Sequence, residues 1–440
     1  MRELEDNNKR WWIRTFADEI LLLESEINAL NWRRSFLDRG RLLDLCESYI
    51  SALGTLSRFV EKVQFSSEGL SRFASFLDDY CTGSEFLSLC AAVSKTRESF
   101  ASLKYCLILD KDSIGVKNYE QEADLSMKVQ ILFRKFQQGK SEGYRKQISE
   151  DPCSETAESE ILEALSKDFP EAFSNLDCFC KRYSEFIDPL LLEFSEEVQF
   201  PISWLDLTDN LRENGLGFCY PSLGCQPHSI QAMGFFDIAL ALKPKTRIVT
   251  NNLLLTDPER IMVITGPNQG GKTTFARAFG QIHYLASLGI CIPGSQASLV
   301  IADHVLTHFG REEDISELCG NLQDDLVRLH DLLEKATSRS IIIISEIFAS
   351  TTLDDAQDLG LKMMEAIIRC GAHAAIVTFL DKIATCSDSV ASMMSTVAAD
   401  QPEKRTFKIV RKPPDGIDYA ISLAKRHGLD YQQIRRRLGL

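Results

Sequence analysis

The run Gly266-Pro267-Asn268-Gln269-Gly270-Gly271-Lys272-Thr273-Thr274 has the residue types and spacing to hold a triphosphate. It fits G-x-x-x-x-G-K-[ST]. Its glycines let the backbone curl until successive N–H groups point inward at phosphate oxygens. The N-terminus of the helix that follows adds partial positive charge at the same place. Lys272 is expected to reach the β- and γ-phosphates, and Thr273 to put its hydroxyl on Mg²⁺. The surroundings separate this from a chance glycine-rich turn. An apolar strand, Ile261 to Thr265, precedes the loop, and the helical pattern FARAFGQIHYLASL follows it.

A second group lies downstream, where Ile341-Ile342-Ile343-Ile344 runs into Ser345-Glu346. Four isoleucines in a row read as a buried strand. On a parallel sheet its end emerges at the same edge as the phosphate loop. A carboxylate there, Glu346, can orient or deprotonate an attacking water. The alternative is a buried strand that happens to end in an exposed Glu. Such strands usually end Asp-Glu, with the Asp helping to hold the metal. Here Ser345 takes that place, and through water it is a candidate Mg²⁺ contact without charge.

These groups need a parallel sheet, and the chain supplies its pattern. From about residue 215, short apolar runs (IMVITG, IIIIS, AAIVTF) alternate with helical periodicity. That rhythm predicts an α/β domain over 215–440, with helices on both faces of a largely parallel sheet. Residues 1–214 read instead as a mostly helical domain. Trp11, Trp12, Phe16, Ile20, Leu23, Ile27 and Leu30 recur at three- and four-residue steps. A small β-hairpin is expected near 104–118, around Asp110-Lys111-Asp112. Pro201 and the Gly/Pro-rich run from Gly215 to Pro227 mark the boundary between the two.

Length and composition fit two or three globular domains: 440 residues, 44% hydrophobic and 25% charged. No apolar run is long enough to span a bilayer, and the charged start MRELEDNNKRWW is unlike a secretory signal. A cytoplasmic protein without membrane association is expected. The 13 cysteines lack zinc-finger spacing and read as reduced thiols. His304 and His308, four apart, would share one face of a helix, but no acid-rich motif accompanies them. The net charge of −14 argues against a nonspecific nucleic-acid binder. The charge is uneven, however. Residues 151–200 carry 13 acids and 3 bases, whereas residues 133–149 carry five bases and one acid.

The loop GPNQGGKTT, with the following FARAFGQIHYLASLGICIPGSQASL, resembles the ATPase domain of the MutS DNA mismatch-repair family. So do VTNNLLL at 249–255 and FKIVRKPPDGIDYAISLAKRHGL at 407–429. The resemblance is firm over roughly 215–440, and residues 1–214 would match the family's core and lever helices. It implies an ABC/MutS-like P-loop fold with ATP and Mg²⁺ on Gly266–Thr274 and Glu346 as the hydrolytic glutamate. It also implies homodimerisation through the ATPase domains, each completing its partner's site, and DNA as a partner. The departures are specific. Ser345 stands for the metal-holding Asp. The Ser-Gly element that reaches across the dimer is only Cys319-Gly320. Phe379 stands where the family has His. Phe59-Val60-Glu61 has the letters of the mismatch-reading wedge but lies in a helical stretch, and the chain is too short for separate mismatch, connector and clamp domains.

A hydroxyl at 345 leaves triphosphate binding intact and weakens the hold on metal, so tight ATP binding with slow hydrolysis is expected. Asp354 and Asp355 would either lend a substitute Mg²⁺ contact or simply begin a helix. Arg134, Lys135, Lys140, Arg145 and Lys146 are the candidate DNA contacts, binding phosphates without reading sequence; a solvated helix face is the alternative. Arg435-Arg436-Arg437 would complement a helix dipole or touch a second copy. Two readings of the whole chain stay open. One is a MutS-like ATP-dependent DNA-associated protein without mismatch reading. The other is an ATP-gated dimerising module that grips a protein partner. An unrelated P-loop enzyme such as a kinase is disfavoured by the loop and the closing segment.

Overall fold

Three- and four-residue apolar spacing builds the N-terminal unit from helices, and the computed structural model shows which face each one buries. It describes residues 1–110, 113–120, 152–224, 229–310, 321–348, 351–398, 401–414, 428–429 and 431–438. These divide into two units, Met1–Leu205 and Asp206–Leu440. The first holds α1 (Asn7–Ala29), α2 (Phe36–Val60), α3 (Glu68–Thr82) and α4 (Ser84–Ala101). An antiparallel hairpin follows, β1 (Tyr105–Asp110) and β2 (Ser113–Asn118), then α5 (Pro152–Asp168), α6 (Pro170–Arg182) and α7 (Pro189–Glu213), whose residues from Asp206 onward are counted with the second unit.

Capping sets the helix starts. The Asp6 side chain accepts from Asn8 N at 2.8 Å and Lys9 N at 3.2 Å, and Ser35 Oγ accepts from Asp38 N at 3.2 Å. Phe16, Ile20 and Leu23 of α1 pack with Leu42, Cys46, Tyr49 and Leu53 of α2 and with Leu176 and Phe179 of α6. Each such side chain stabilises the fold by roughly 1.5–3 kcal/mol. Phe59 belongs to this core, stacked on Trp12 with ring centroids 5.2 Å apart, so the Phe-x-Glu letters form no exposed wedge.

Pro201 does not end a helix. It sits inside α7, and the division between units falls four residues later. A proline here removes one backbone donor, yet burial of Leu191, Val198, Ile202 and Leu205 holds the helix on both sides of it.

The second unit is α/β. Its main sheet has six strands in the order β10-β11-β12-β7-β13-β14. These are β7 (Ile261–Thr265), β10 (Val305–Phe309), β11 (Ile341–Ser345), β12 (His373–Val377), β13 (Val390–Ala398) and β14 (Gln401–Arg411). All pairings are parallel except β13 with β14 at the edge. Strands β7, β11 and β12 are buried at every residue, as expected when both faces are covered. On one face Ile261, Val263, Ile342 and Ile344 pack with Leu329 and Leu332 of α10 (Asn321–Lys335) and Met363 and Met364 of α11 (Leu353–Cys370). On the other, Gly280 of α9 (Lys272–Ser287) lies against Ile343; a Cβ there would stand 2.9 Å from the Ile343 Cδ1.

A smaller sheet, β4-β9-β5-β6, comprises Ser222–Leu223, Gln296–Leu299, Ile230–Phe235 and Asn251–Leu255; β3 (Phe218–Cys219) pairs with β8 (Ile292–Pro293). The remaining helices are α8 (Ile238–Ala241) and α12 (Tyr431–Arg437).

Register now fixes where the chemistry gathers. Ile264 lies level with Val377, Val377 with Ser345, and Ser345 with Phe309, while Thr265 is level with Met394. The residues that follow, Gly266, Thr378, Glu346 and Ser395, therefore share one sheet edge.

Candidate nucleotide site

The loop after β7 takes left-handed backbone at Gly266 (φ 105°), Gln269 (φ 59°) and Gly271 (φ 88°). Two of those places need glycine, because a side chain rarely adopts such angles. Gly270 is required for a different reason. A Cβ there would stand 2.0 Å from Ser395 Oγ and 2.9 Å from the Pro267 carbonyl oxygen. Ser395 is fully buried on β13, and its hydroxyl donates to the Gly270 carbonyl at 2.9 Å. Arg405 of β14 donates from Nε to the Asn268 carbonyl at 3.2 Å. The edge ribbon thus holds two carbonyls of the loop and fixes how its peptides face.

Lys272 opens α9 and is buried. Its ammonium donates to the Gly266 carbonyl at 2.8 Å, the Pro267 carbonyl at 3.1 Å and Asn268 Oδ1 at 3.3 Å. Burial lowers its pKa, Glu346 raises it, and Arg405 lowers it again; the net direction is down. Thr273 Oγ1 lies 3.2 Å from Ser345 Oγ, the hydroxyl at the end of β11. Glu346 follows in a left-handed conformation (φ 59°), its N–H donating to the Val377 carbonyl at 3.0 Å. The fold thus brings Lys272, Thr273, Ser345 and Glu346 together, from two strands separated by β12.

A cavity of about 630 Å³ adjoins these groups. Residues 268–275 and Glu346 line it together with Phe235, Arg247, Val249, Asn251 and Phe407. Phe407 is half exposed, has left-handed backbone (φ 58°) and lies against Gly271. Asn251 holds it in place. Its Nδ2 donates to the Phe407 carbonyl at 3.2 Å, and its Oδ1 accepts from Ile409 N at 2.8 Å. Asp237, buried in the same wall, caps α8 through Leu240 N at 2.7 Å and pairs with Arg277 of α9.

Ser395, Arg405, Phe407 and Asn251 were not expected at the site. Their places depend on pairing between strands far apart in sequence, which leaves no local signature. The resemblance marks the segment 249–255 without singling out Asn251.

Other sequence candidates fall elsewhere. Phe379 is exposed beyond the end of β12 and is not part of the cavity wall. Asp355 is engaged with the N-cap of α11, accepting from Thr352 Oγ1 at 2.8 Å while its own N–H donates back at 3.3 Å. His304 and His308 are not on a helix. His308 is on β10, and four residues of extended chain span about 13 Å. His308 is buried with its Nε2 3.2 Å from Asp325, whereas His304 is exposed beside Asp303. Arg435, Arg436 and Arg437 occupy the last turn of α12 and are exposed. Arg134, Lys135, Lys140, Arg145, Lys146 and Cys319-Gly320 lie outside the described residues.

Among the described residues no three His, Cys, Asp or Glu side chains gather as a metal set. The donors present, two hydroxyls with one carboxylate beside them, suit a hard cation held mainly by phosphate oxygens. Cys46, Cys81, Cys90, Cys106, Cys178, Cys180, Cys219, Cys291, Cys370 and Cys386 are free thiols. No helix among those residues is long and apolar enough to cross a membrane.

Strand, curled loop, helix and a carboxylate at the sheet edge define an α/β P-loop nucleotide-binding domain. Residues 262–436 match MutS domain V. It is 29% identical over 193 residues to the endonuclease MutS2 of Thermus thermophilus, across 43% of this chain and 25% of that protein. It is 25% identical over 291 residues to the DNA mismatch repair protein MutS of Thermotoga petrophila, across 64% of this chain and 34% of the relative. The corresponding protein of Thermotoga neapolitana is 25% identical over 292 residues, across 35% of its length. The chain spans about a third or less of the length of these relatives.

Proposed function

We propose that the chain binds ATP with Mg²⁺ on Gly266–Thr274, hydrolyses it slowly, and couples the nucleotide to homodimerisation and DNA binding, without mismatch reading of its own. The observation that carries this reading is the convergence of Lys272, Thr273 and Glu346 on one cavity large enough for a nucleotide, with the buried Ser345 hydroxyl 3.2 Å from that of Thr273. Backbone N–H groups of the curled loop and the start of α9 take the phosphates. The triphosphate competes with three loop acceptors for the Lys272 ammonium. Phe407, with Val249 and Phe235, offers the apolar surface a base needs. When bound, Mg²⁺ would supply positive charge against the phosphates. Thr273 and Ser345 are the side chains placed to hold it, and Glu346 is placed to take a proton from water.

Hydrolysis is slow on this reading because the neutral Ser345 stands beside Thr273 where a charged group would act, and because the resemblance puts Phe379 in the place of a histidine. If each loss weakens transition-state stabilisation by about 2–3 kcal/mol, each slows the rate by ~10²-fold and the two together by more. The test is molecular mass in solution with ATP, with ADP and without nucleotide, for wild type and Lys272→Ala. A mass that doubles with ATP only in the wild type supports the reading. Nucleotide-independent mass, or turnover near the common ~10 s⁻¹, refutes the coupling or the slow step respectively. The second reading, an ATP-gated module acting on a protein partner, is favoured by the net charge of −14. Absence of duplex DNA binding at low salt with ATP present would select it.

A further inference from the structure

The connection between α1 and α2 carries Trp32-Arg33-Arg34, and α2 adds Arg39 and Arg41. Lys181, on the last turn of α6, faces the same groove of about 320 Å³ as Trp32, Arg33, Asp177 and Ser184. Five cations here face two carboxylates, Asp38 and Asp177, in a chain that is strongly acidic as a whole. The five are not equivalent. Arg39 is structural: its Nε donates to the Trp32 carbonyl at 2.9 Å, Nη2 to the Arg33 carbonyl at 3.3 Å, and it lies 3.5 Å from Asp177. It braces the turn. Arg41 is 3.5 Å from Asp38, and Lys181 is 2.6 Å from Asp177. Arg33 and Arg34 are exposed and, among the described residues, have no acidic partner.

The Arg33 guanidinium lies 5.3 Å over the Trp32 ring. Trp32 is itself half-buried against the helical core. A guanidinium held on a ring is partly preorganised, and its planar fork matches phosphate. With its ring between core and Arg33, Trp32 positions a cation and does not take a base. We infer that the braced Trp32–Arg41 turn with Lys181 is a duplex-DNA backbone contact, with Arg33 and Arg34 each neutralising a phosphate without reading sequence. This rests on the DNA reading above and gives it a surface independent of residues 134–146.

The test is equilibrium binding of a mixed-sequence duplex DNA to the full chain with ATP, across a salt series. Each phosphate contact contributes about 0.9 to the slope of log affinity against log salt. Arg33→Ala/Arg34→Ala is expected to lower that slope by about 2. Between about 50 and about 200 mM salt, wild type then loses about tenfold more affinity than the variant. Arg33→Lys/Arg34→Lys keeps both charges and is expected to keep the slope. Arg72→Ala, an exposed arginine on α3 paired with Glu68, is expected to change neither slope nor affinity. An unchanged slope in the alanine variant overturns the inference while leaving DNA binding standing. So does a lysine variant that behaves like alanine. Wild type that binds no duplex at low salt overturns both the inference and the DNA reading it rests on.

Discussion

Replacing Ser345 by Asp tests which group limits metal binding. Ser345 is buried, and its hydroxyl lies 3.2 Å from that of Thr273. A carboxylate at this place accepts from Thr273, or from water on the metal, with full charge. Hydrogen bonds to charged groups contribute about 1.5–3 kcal/mol, against about 0.5–1.5 for neutral pairs. The gain of roughly 1–1.5 kcal/mol corresponds to a Mg²⁺ midpoint about 5- to 12-fold lower. The same substitution puts a carboxylate in a site only 3% exposed, which without a cation destabilises by about 1–3 kcal/mol or more. Ser345→Asp is therefore expected to melt below wild type in chelator and to recover with Mg²⁺ and ATP. Two assays read this out: thermal unfolding with and without Mg²⁺, and Mg²⁺ titration of a fluorescent ATP analogue. Steady-state hydrolysis is expected to rise, but by less than the combined deficit, because Phe379 remains. A variant with the wild-type Mg²⁺ midpoint and no faster turnover would refute the assignment of Ser345 as the metal-side partner of Thr273.

Four further outcomes follow from the same geometry. Gly270→Ala forces its Cβ against Ser395 and the Pro267 carbonyl, an overpacking worth about 1–3 kcal/mol. ATP affinity, read with the fluorescent analogue, is expected to fall about 5- to 150-fold, whereas Gly40→Ala, with open space around it, leaves affinity unchanged. Glu346→Gly removes a side chain from left-handed backbone and is expected to raise stability by about 1 kcal/mol in denaturant titration while abolishing hydrolysis. Phe407→Ala is expected to weaken ATP more than inorganic triphosphate in competition titrations, because it removes an aromatic wall of the cavity while the loop keeps its own glycines, Lys272 and the bonds from Ser395 and Arg405. His283 is buried in α9. Burial lowers its pKa from 6.5 to about 4, the bond to the Phe279 carbonyl raises it, and His373 lowers it further. The unfolded chain therefore binds the extra proton, so this stability is present above pH 6.5 and lost as pH falls toward 4. The loss is about 3 kcal/mol, and urea titrations across that window are expected to show it reduced in His283→Gln.

The parts of the site that were legible in the sequence are those written in consecutive residues. The curled loop needs glycines where the backbone turns left-handed or approaches Ser395, and those letters sit side by side from Gly266 to Gly271. The isoleucine run announces a strand buried on both faces, because one exposed face would demand alternation. The expectation of a parallel sheet followed from three such runs, although the antiparallel edge strand β14 gave no comparable signal. What stayed hidden depends on distant chain. Ser395 meets Gly270 only because β13 pairs with β7, and Asn251 meets Phe407 only because β6 lies beside β14. The spacing of His304 and His308 suggested a helix face because an interval of four is ambiguous without the surrounding pattern. Pro201, read as marking a boundary, lies four residues before the division between the units, and the helix runs through it because burial along α7 outweighs one lost backbone bond.

Glu346 and Phe407 bear on whether the site is a relic. Both are non-glycine residues in left-handed backbone, an arrangement that costs roughly 1–2 kcal/mol each. Neither is compensated by burial of its own side chain, since Glu346 and Phe407 are both exposed. Phe348, also left-handed, is different: it is fully buried and anchors the turn after β11. Packing accounts for Phe348, but it does not account for a carboxylate held at the loop edge or an aromatic ring held over Gly271. Local conflict without local compensation is expected where binding or chemistry has set the geometry. The substitution at 345 has the opposite character: Ser is comfortable in its buried place beside Thr273 and introduces no strain. The site therefore combines a relaxed Ser345 with strained Glu346 and Phe407, which the proposed function makes the metal-side, water-side and base-side residues. That combination fits a nucleotide-driven switch whose grip outlasts its turnover better than it fits a scaffold that has lost its ligand.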